Sequence, residues 1–209
     1  MSFLKDEEYS DFTKAYGLEG MSLQNVFRVL GHALFSNPVH SLLVEVQKIR
    51  DRMEAGRRWI GVHFRQGGDH LPGWIDPARH SPAELPFFAT DALQLCGLIP
   101  CSILFESDHP DARKAFQNLV MNQTGRNRNI RVVISSVSPF HIDRSKSDEA
   151  TANSIMNLMA TWHVWREMHG LVISQSGLSE TASWLANVPT IARIPGDLKS
   201  SHISWPEFA

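Results

Sequence analysis

Five short segments rich in β-forming residues alternate along this chain with segments of helical periodicity. The β-rich segments are residues 59–64, 101–106, 130–135, 171–174 and 190–194. Helical patterns occupy the intervals between them, and strands joined through helices pair in parallel with right-handed crossovers. The alternation therefore predicts an α/β fold, a Rossmann-like three-layer domain with a mainly parallel sheet that buries Val62, Leu104, Val133 and Ile173.

The first quarter of the chain does not share this alternation. Residues 1–20 are a polar lead-in, and apolar residues at helical spacing then predict two helices, one over 22–34 and one from 39 to about 50. Asn37-Pro38 separates the two helices. We expect residues 1–55 to form a lead-in and helices that pack on the domain formed by residues 56–209.

Size and charge limit the function classes. With 209 residues, 43% of them hydrophobic, the chain can build one sizeable core. Its net charge of −2 gives no general attraction to nucleic acid or to an anionic membrane, so we expect neither as a partner. The two cysteines, Cys96 and Cys101, flank an apolar stretch, which favours two reduced, packed thiols over a disulfide or a metal pair.

The segment from Trp59 to His70 carries the first candidate site. An apolar strand stops abruptly at Arg65, and Gly67-Gly68 then lets the backbone turn and approach a ligand. Ligands of open α/β sheets bind at the carboxyl ends of strands, and an arginine there suits a phosphate. A solvated charge or a salt-bridge partner is the alternative interpretation of Arg65.

The pattern His63-x-Arg65-x-Gly67-x-Asp69 resembles the first donor-binding motif of the GDP-fucose fucosyltransferases, particularly the protein O-fucosyltransferase and α1,6-fucosyltransferase group. The resemblance implies that Arg65 contacts the donor diphosphate and is needed for transfer. It also implies that His63 lies beside the nucleotide, with Gly67 and Gly68 shaping the loop.

Two further stretches resemble the same family, in the expected order. Ser107-Asp108 after a strand resembles the second motif, with Asp108 facing the nucleotide; capping of the next helix is the alternative. Residues 171–182 resemble the third motif, in which a strand leads into a helix start that holds the donor phosphates. There Ser174, Ser176, Gly177 and Leu178 would supply hydroxyls and helix amides, which suit phosphate. An ordinary helix start remains an alternative, whereas Gly-x-Ser-x-Gly, the pattern of a hydrolase nucleophile, is absent.

The chain departs from the family in two respects. Some members place an aspartate that pairs with guanine on the helix before the third motif, and this chain has Thr161 in that region. The family also has a second Rossmann-like domain upstream, which residues 1–55 cannot form. No spacing of histidines or cysteines indicates zinc, so no metal and no cofactor are expected. Trp74 could stack on a sugar or a base.

The resemblance implies a domain like the donor half of a GT-B glycosyltransferase, which transfers fucose from GDP-fucose as donor substrate to a hydroxyl, with inversion and without a required metal. Arg65 would neutralise the leaving diphosphate, and Asp69 is the nearest candidate for the general base. The alternative is a non-catalytic nucleotide- or glycan-binding or assembly module. Expected partners are a nucleotide sugar and a glycan or protein acceptor of unknown identity, with a homo-oligomer or a separate acceptor-domain chain as further options.

The compartment is inferred from what the sequence lacks. The acidic N-terminus has no apolar core of a signal peptide, and no stretch reaches about 18 consecutive apolar residues. We therefore expect a soluble, cytoplasmic protein as the sequence stands, or a protein of the secretory pathway if an upstream segment is missing.

Overall fold

The computed structural model describes residues 14–15, 17, 19–21, 25–26, 29, 31, 37–71, 74–76, 79–125, 129–135, 149–197 and 201–203. For residues 68–71, 74–76, 149–151 and 201–203 it describes the course of the backbone. The chain divides into two compact units, Met1–Pro38 and Val39–Ala209. The first predicted helix, residues 22–34, lies largely outside the described residues. Residues 136–147, whose sequence predicts an irregular link, lie outside them as well.

The second unit contains helices and strands in close alternation. The helices are α1 (His40–Met53), α2 (Leu85–Cys96), α3 (Pro110–Thr124), α4 (Glu149–Trp165) and α5 (Gly177–Ala186), and a 3-10 turn (Pro82–Glu84) leads into α2. The strands are β1 (Arg58–Phe64), β2 (Gly68–Leu71), β3 (Trp74–Asp76), β4 (Cys101–Ser107), β5 (Ile130–Ile134), β6 (Gly170–Ser174), β7 (Thr190–Arg193) and β8 (Ser201–Ile203).

Six of these strands form one sheet in the order β5-β4-β1-β6-β7-β8. The first five are parallel to their neighbours, and β8 joins the edge antiparallel to β7. Val62, Leu104, Val133 and Ile173 are buried in this sheet. The predicted Rossmann-like, mainly parallel fold is therefore confirmed, with β1 at the centre of the parallel part.

Alternate residues of β1 serve two helical layers. Ile60, Val62 and Phe64 pack into a core with α2 and α3, while Gly61 and His63 face Trp165 at the end of α4. A Cβ atom at Gly61 would lie 2.8 Å from Trp165 Cδ1. The glycine thus lets the indole lie directly on the strand, which gives the sheet its second covered face.

Three local predictions were wrong. The three prolines of residues 69–82 and their lack of periodicity predict a long loop without regular structure, whereas the structure has the antiparallel pair β2–β3 and the 3-10 turn there. Pro195-Gly196 predicts the end of regular structure, but β8 follows and pairs with the edge of β7.

The third concerns the cysteines, which form a disulfide and not two thiols. Helix α2 ends at Cys96, Gly97 turns the chain with φ of 65°, and β4 begins at Cys101. This reversal brings the two Cα atoms to 5.6 Å, a distance typical of disulfides. Apolar neighbours in sequence do not reveal such a reversal, which is why the prediction failed.

Among the described residues, no helix combines the length and the apolar character needed to cross a membrane.

Candidate functional site at the carboxyl edge of the sheet

The three motif stretches end at neighbouring strands. Arg65 follows β1, Asp108 follows β4 and Ser176 follows β6, and β1 pairs in parallel with both other strands. Parallel strands present their carboxyl ends at one edge of a sheet, where open α/β folds bind ligands. Residues more than forty positions apart in sequence thus lie together at one edge, as the motifs predicted.

Asp108 joins the second motif to the first. Its Oδ1 accepts a hydrogen bond from the Gln66 amide at 2.8 Å, and its Oδ2 accepts one from the Gly67 amide at 3.0 Å. Gly67 is buried with φ of 67°, a conformation that favours glycine. Asp108 therefore fixes the loop after β1, and both Gly67 and Asp108 have a structural task besides any contact with a ligand.

Ser174 holds the same loop from the other side. Its hydroxyl accepts a hydrogen bond from the Arg65 amide at 2.9 Å and donates one to the His63 carbonyl at 2.9 Å. The residue is buried, with 1% of its surface exposed. Since both bonds lie within the chain, Ser174 braces Arg65 rather than offering a free hydroxyl to phosphate.

The segment 79–84, which we call the strap, runs along the same loop. The amides of Arg79 and His80 donate to the carbonyls of Gln66 and Arg65 at 3.0 and 3.1 Å. Within the strap, Glu84 accepts from the Ser81 amide at 2.9 Å and contacts His80 Nδ1 at 2.8 Å. The strap thus occupies the carbonyls of Arg65 and Gln66 and fixes the backbone that carries the Arg65 side chain.

Sequence reasoning missed the strap, although one signal was available. Ser81 and Glu84 have the Ser-x-x-Glu spacing of a capping box, and the structure shows that box at the 3-10 turn. The pairing of the strap with the loop after β1 left no trace in the sequence, because backbone hydrogen bonds specify no residue type.

His63 lies beneath the site and is neutral. Burial lowers its pKa to about 4, with smaller lowering effects of Arg65 and His80, while Asp108 opposes them. Its Nδ1 lies 2.9 Å from Ser179 Oγ, which also contacts the Ser174 carbonyl at 3.1 Å. Because the serine proton goes to a carbonyl, the Nδ1 proton goes to the serine. We infer that His63 supports the third motif as well as lying near the first.

The start of α5 is open. Ser176 is the extended N-cap residue and makes no side-chain cap bond, and Ser176 and Leu178 are half-buried. Gly177 is exposed, and a Cβ built there would meet no described atom within 4 Å. Neither packing nor a positive φ requires this glycine. A ligand that approaches the helix amides closely would explain a glycine at this position.

A buried carboxyl group lies beside the site that sequence reasoning did not single out. Glu106 pairs with Arg113 at 3.1 Å, and burial raises its pKa to about 7 against the lowering effects of Arg113 and Ser135. Thr161, the residue in place of the expected acid on α4, is fully buried and lies 3.3 Å from Ser135 Oγ. Ser135 thus links Thr161 to a carboxyl group, but that group is Glu106 on β4 and not a residue of α4.

Two candidate residues lie on the hairpin. Gly68 begins β2 and pairs with Asp76 of β3, and Asp69 follows it in the same strand. The side chain of Asp69 lies outside the described part of the structure, as does that of Trp74, so their roles stay predictions. Within the described residues there is no group of three or more His, Cys, Asp or Glu side chains that could hold a metal ion.

This chain is similar to known proteins in structure but not in sequence. No protein-family model matches the chain, and no curated protein matches it in sequence. The fold is similar to that of an Arabidopsis thaliana FUT1 variant in complex with GDP, with a TM-score of 0.57 and 14% identity over 90% of this chain. The chain spans 40% of the length of that protein.

Other matches are NodZ structures. NodZ alpha-1,6-fucosyltransferase soaked with GDP-fucose matches at a TM-score of 0.47 and 15% identity, over 78% of this chain and 49% of that one. Fucosyltransferase NodZ from Bradyrhizobium matches at 0.45 and 12% identity, over 78% and 48%. The similarity to FUT1, at a TM-score of 0.57, confirms at the level of the fold the resemblance that the motifs indicated.

Proposed function

We propose that this chain is the donor-binding domain of a glycosyltransferase, that it binds a nucleotide sugar with GDP-fucose as the expected donor, and that it serves transfer to a hydroxyl acceptor. The observation that carries the proposal is the bracing of Arg65. Asp108 and Ser174, at the ends of the two strands beside β1, hold its loop through three backbone amides. An arginine fixed in this way is preorganised for an anion.

The chemistry of such a site follows from charge. When a glycosyl group leaves its nucleotide, negative charge grows on the diphosphate oxygens. Arg65 offers a planar, permanently charged fork for two of those oxygens, and the open amides at Gly177 and Leu178 add the positive end of a helix dipole. Donors placed beforehand where charge develops stabilise the transition state more than the ground state.

The fold comparison supports a guanine nucleotide as the ligand, because the FUT1 structure contains GDP. Since this chain spans 40% of that protein, the acceptor, the inverting transfer and the role of Asp69 as general base are parts of the proposal. We expect the reaction to need no metal and no cofactor, with the acceptor site supplied by another domain or chain.

A second candidate is a binding module without catalysis. Thr161 favours it, since a buried threonine bonded to Ser135 stands where an acid would pair with guanine. Such a module would bind the nucleotide through the diphosphate with little preference among bases. The two candidates therefore differ in base selectivity and in turnover of the donor.

A nucleotide panel with three variants tests the proposal. GDP at a hundred times its dissociation constant should stabilise the wild-type protein by about 2.7 kcal/mol. At the same concentration, GDP-fucose should stabilise it similarly, and UDP and ADP should stabilise it less. Arg65→Ala should weaken GDP binding by about 1.5 to 3 kcal/mol, through loss of a charge-assisted contact, and leave the free energy of unfolding within about 1 kcal/mol of wild type. Gly177→Ala should weaken binding without loss of stability, because its new methyl group occupies the ligand's space.

Arg131→Ala is the matched control. Arg131 is exposed and pairs with Glu54, and it lies at the amino end of β5, whereas the motif residues follow the carboxyl ends of their strands. It should leave GDP affinity unchanged. An Arg65→Ala protein with full affinity for GDP would reject the donor site. A loss of about 3 to 5 kcal/mol in stability would instead identify Arg65 as a structural ion-pair partner.

A further inference from the structure

We propose that Arg79, on the strap, is a second cation of the donor site and contacts the diphosphate of the bound nucleotide. This inference rests on the proposed function and adds a residue that no motif contains. It follows from the position of the strap, from the exposure of Arg79 and from the charges around Arg65.

The strap places Arg79 beside Arg65. The Arg79 amide donates to the Gln66 carbonyl at 3.0 Å and the next amide, that of His80, donates to the Arg65 carbonyl at 3.1 Å. These two bonds place Arg79 beside Gln66 and His80 beside Arg65. Because arginine side chains are long, the guanidinium groups of Arg79 and Arg65 can reach a common ligand.

The strap buries His80 but not Arg79. His80 is buried against Phe88, with ring centroids 4.9 Å apart, and lies 5.7 Å from Phe64 on the α2 side of the sheet. The side chain of Arg79, the preceding residue, is exposed.

The two arginines differ from His80 in exposure. Arg79 is exposed and Arg65 is half-buried, whereas 1% of the surface of His80 is accessible. Among the described residues, none pairs with the guanidinium of Arg79. By contrast, Arg113 pairs with Glu106 and Arg193 pairs with Asp91. Arg79 therefore keeps an uncompensated charge at the rim.

The charges around Arg65 give the guanidinium of Arg79 a role. The carboxylate of Asp108 is held against the loop, so its charge offsets that of Arg65. Arg79 adds a second guanidinium beside this pair. A nucleoside diphosphate carries at least two negative charges, and opposite charges at about 4 Å attract appreciably near a protein surface. A solvated surface charge is the competing interpretation.

The test compares Arg79→Ala and Arg79→Lys with Arg131→Ala, using GDP, GMP and guanosine as probes in titration calorimetry. Arg79→Ala should weaken GDP binding about tenfold or more, with an unchanged melting temperature, and Arg79→Lys should restore part of the loss because it keeps the charge. The loss should be smaller for GMP and absent for guanosine, and it should shrink at high salt.

The results also separate this inference from the proposed function. If Arg79→Ala binds GDP within about twofold of wild type while Arg65→Ala loses it, the second cation is refuted and the donor site stands. Equal losses for GDP and guanosine would refute a diphosphate contact as well. If wild-type protein binds none of the three probes, the proposed function itself fails, and this inference fails with it.

Discussion

His63 and Glu106 occupy facing positions on β1 and β4 and illustrate how single residues are tuned by the fold. Burial is the largest influence on both, and it favours the uncharged form of each. It therefore lowers the pKa of the histidine to about 4 and raises that of the carboxyl group to about 7. Two titratable groups lie under the candidate site, yet at mildly acidic pH neither is charged.

These opposite shifts predict opposite effects of pH on stability. Between about pH 4.5 and 7 the folded protein keeps a proton on Glu106 that the unfolded chain has lost, so this group lowers the free energy of unfolding as pH rises. Between about pH 4 and 6.5 the unfolded chain holds a proton on His63 that the folded protein lacks, so this group raises the free energy of unfolding as pH rises. The two contributions should largely cancel between about pH 4.5 and 6.5.

Urea unfolding at a series of pH values checks this prediction. Glu106→Gln should unmask the histidine, so that stability rises with pH up to about 6.5, and His63→Asn should unmask the carboxyl group, so that it falls. Glu84, whose pKa is lowered, is common to all three proteins and drops out of the differences. Parallel pH profiles for wild type and both variants would contradict the shifts.

At the residue scale, the sequence predicted where Asp108 and Ser174 lie but not what they contact. The motifs correctly placed both at strand ends. Their side chains, however, bond to backbone amides and carbonyls of another loop, and those partners carry no residue signature. Glu106 was missed for a related reason, since a glutamate inside a β-rich run gives no sign that it will be buried.

At the scale of elements, period and composition located the strands and helices of the second unit to within a few residues. The hairpin β2–β3, the strap and β8 escaped because they are short and depend on pairing with distant backbone. The strap, which holds the motif loop after β1, was therefore not predicted from the sequence. The disulfide between α2 and β4 was not predicted either, because it depends on a chain reversal that the local sequence does not specify.

That disulfide carries an element-scale prediction. The bridge from Cys96 to Cys101 closes a short loop, for which the chain-entropy account gives about 2 kcal/mol of stabilisation. The double variant Cys96→Ser/Cys101→Ser should lose about that much free energy of unfolding and become insensitive to reductant. GDP affinity should not change, because the bridge lies at the amino end of β4, opposite the candidate site.

Alkylation followed by mass spectrometry is the direct measurement. Unfolded protein prepared without reductant should take up no label, and the same protein after reduction should take up two. Labelling of two thiols before reduction would show that the bridge is not formed in solution.

At the scale of the whole molecule, the second compact unit, Val39–Ala209, contains every motif residue and the complete sheet. It begins one residue before α1, whose side chains Leu42, Val46, Ile49 and Met53 are buried. The boundary expected from the sequence, between residues 55 and 56, instead separates α1 from the Rossmann-like part.

Two fragments distinguish the boundaries. Fragment 39–209 should unfold cooperatively and bind GDP within about threefold of the full chain, because it keeps α1 together with all the motif residues. Fragment 56–209 lacks four buried apolar side chains, each of which contributes about 1.5 to 3 kcal/mol by burial. That loss is comparable with the net stability of a typical domain, about 5 to 15 kcal/mol, so we expect 56–209 to lose cooperative unfolding and GDP binding. Calorimetric melting of both fragments with and without GDP distinguishes the two boundaries. Cooperative, GDP-stabilised melting of 56–209 would show that α1 is dispensable. Non-cooperative melting of 39–209 would show that residues 1–38 are needed for folding.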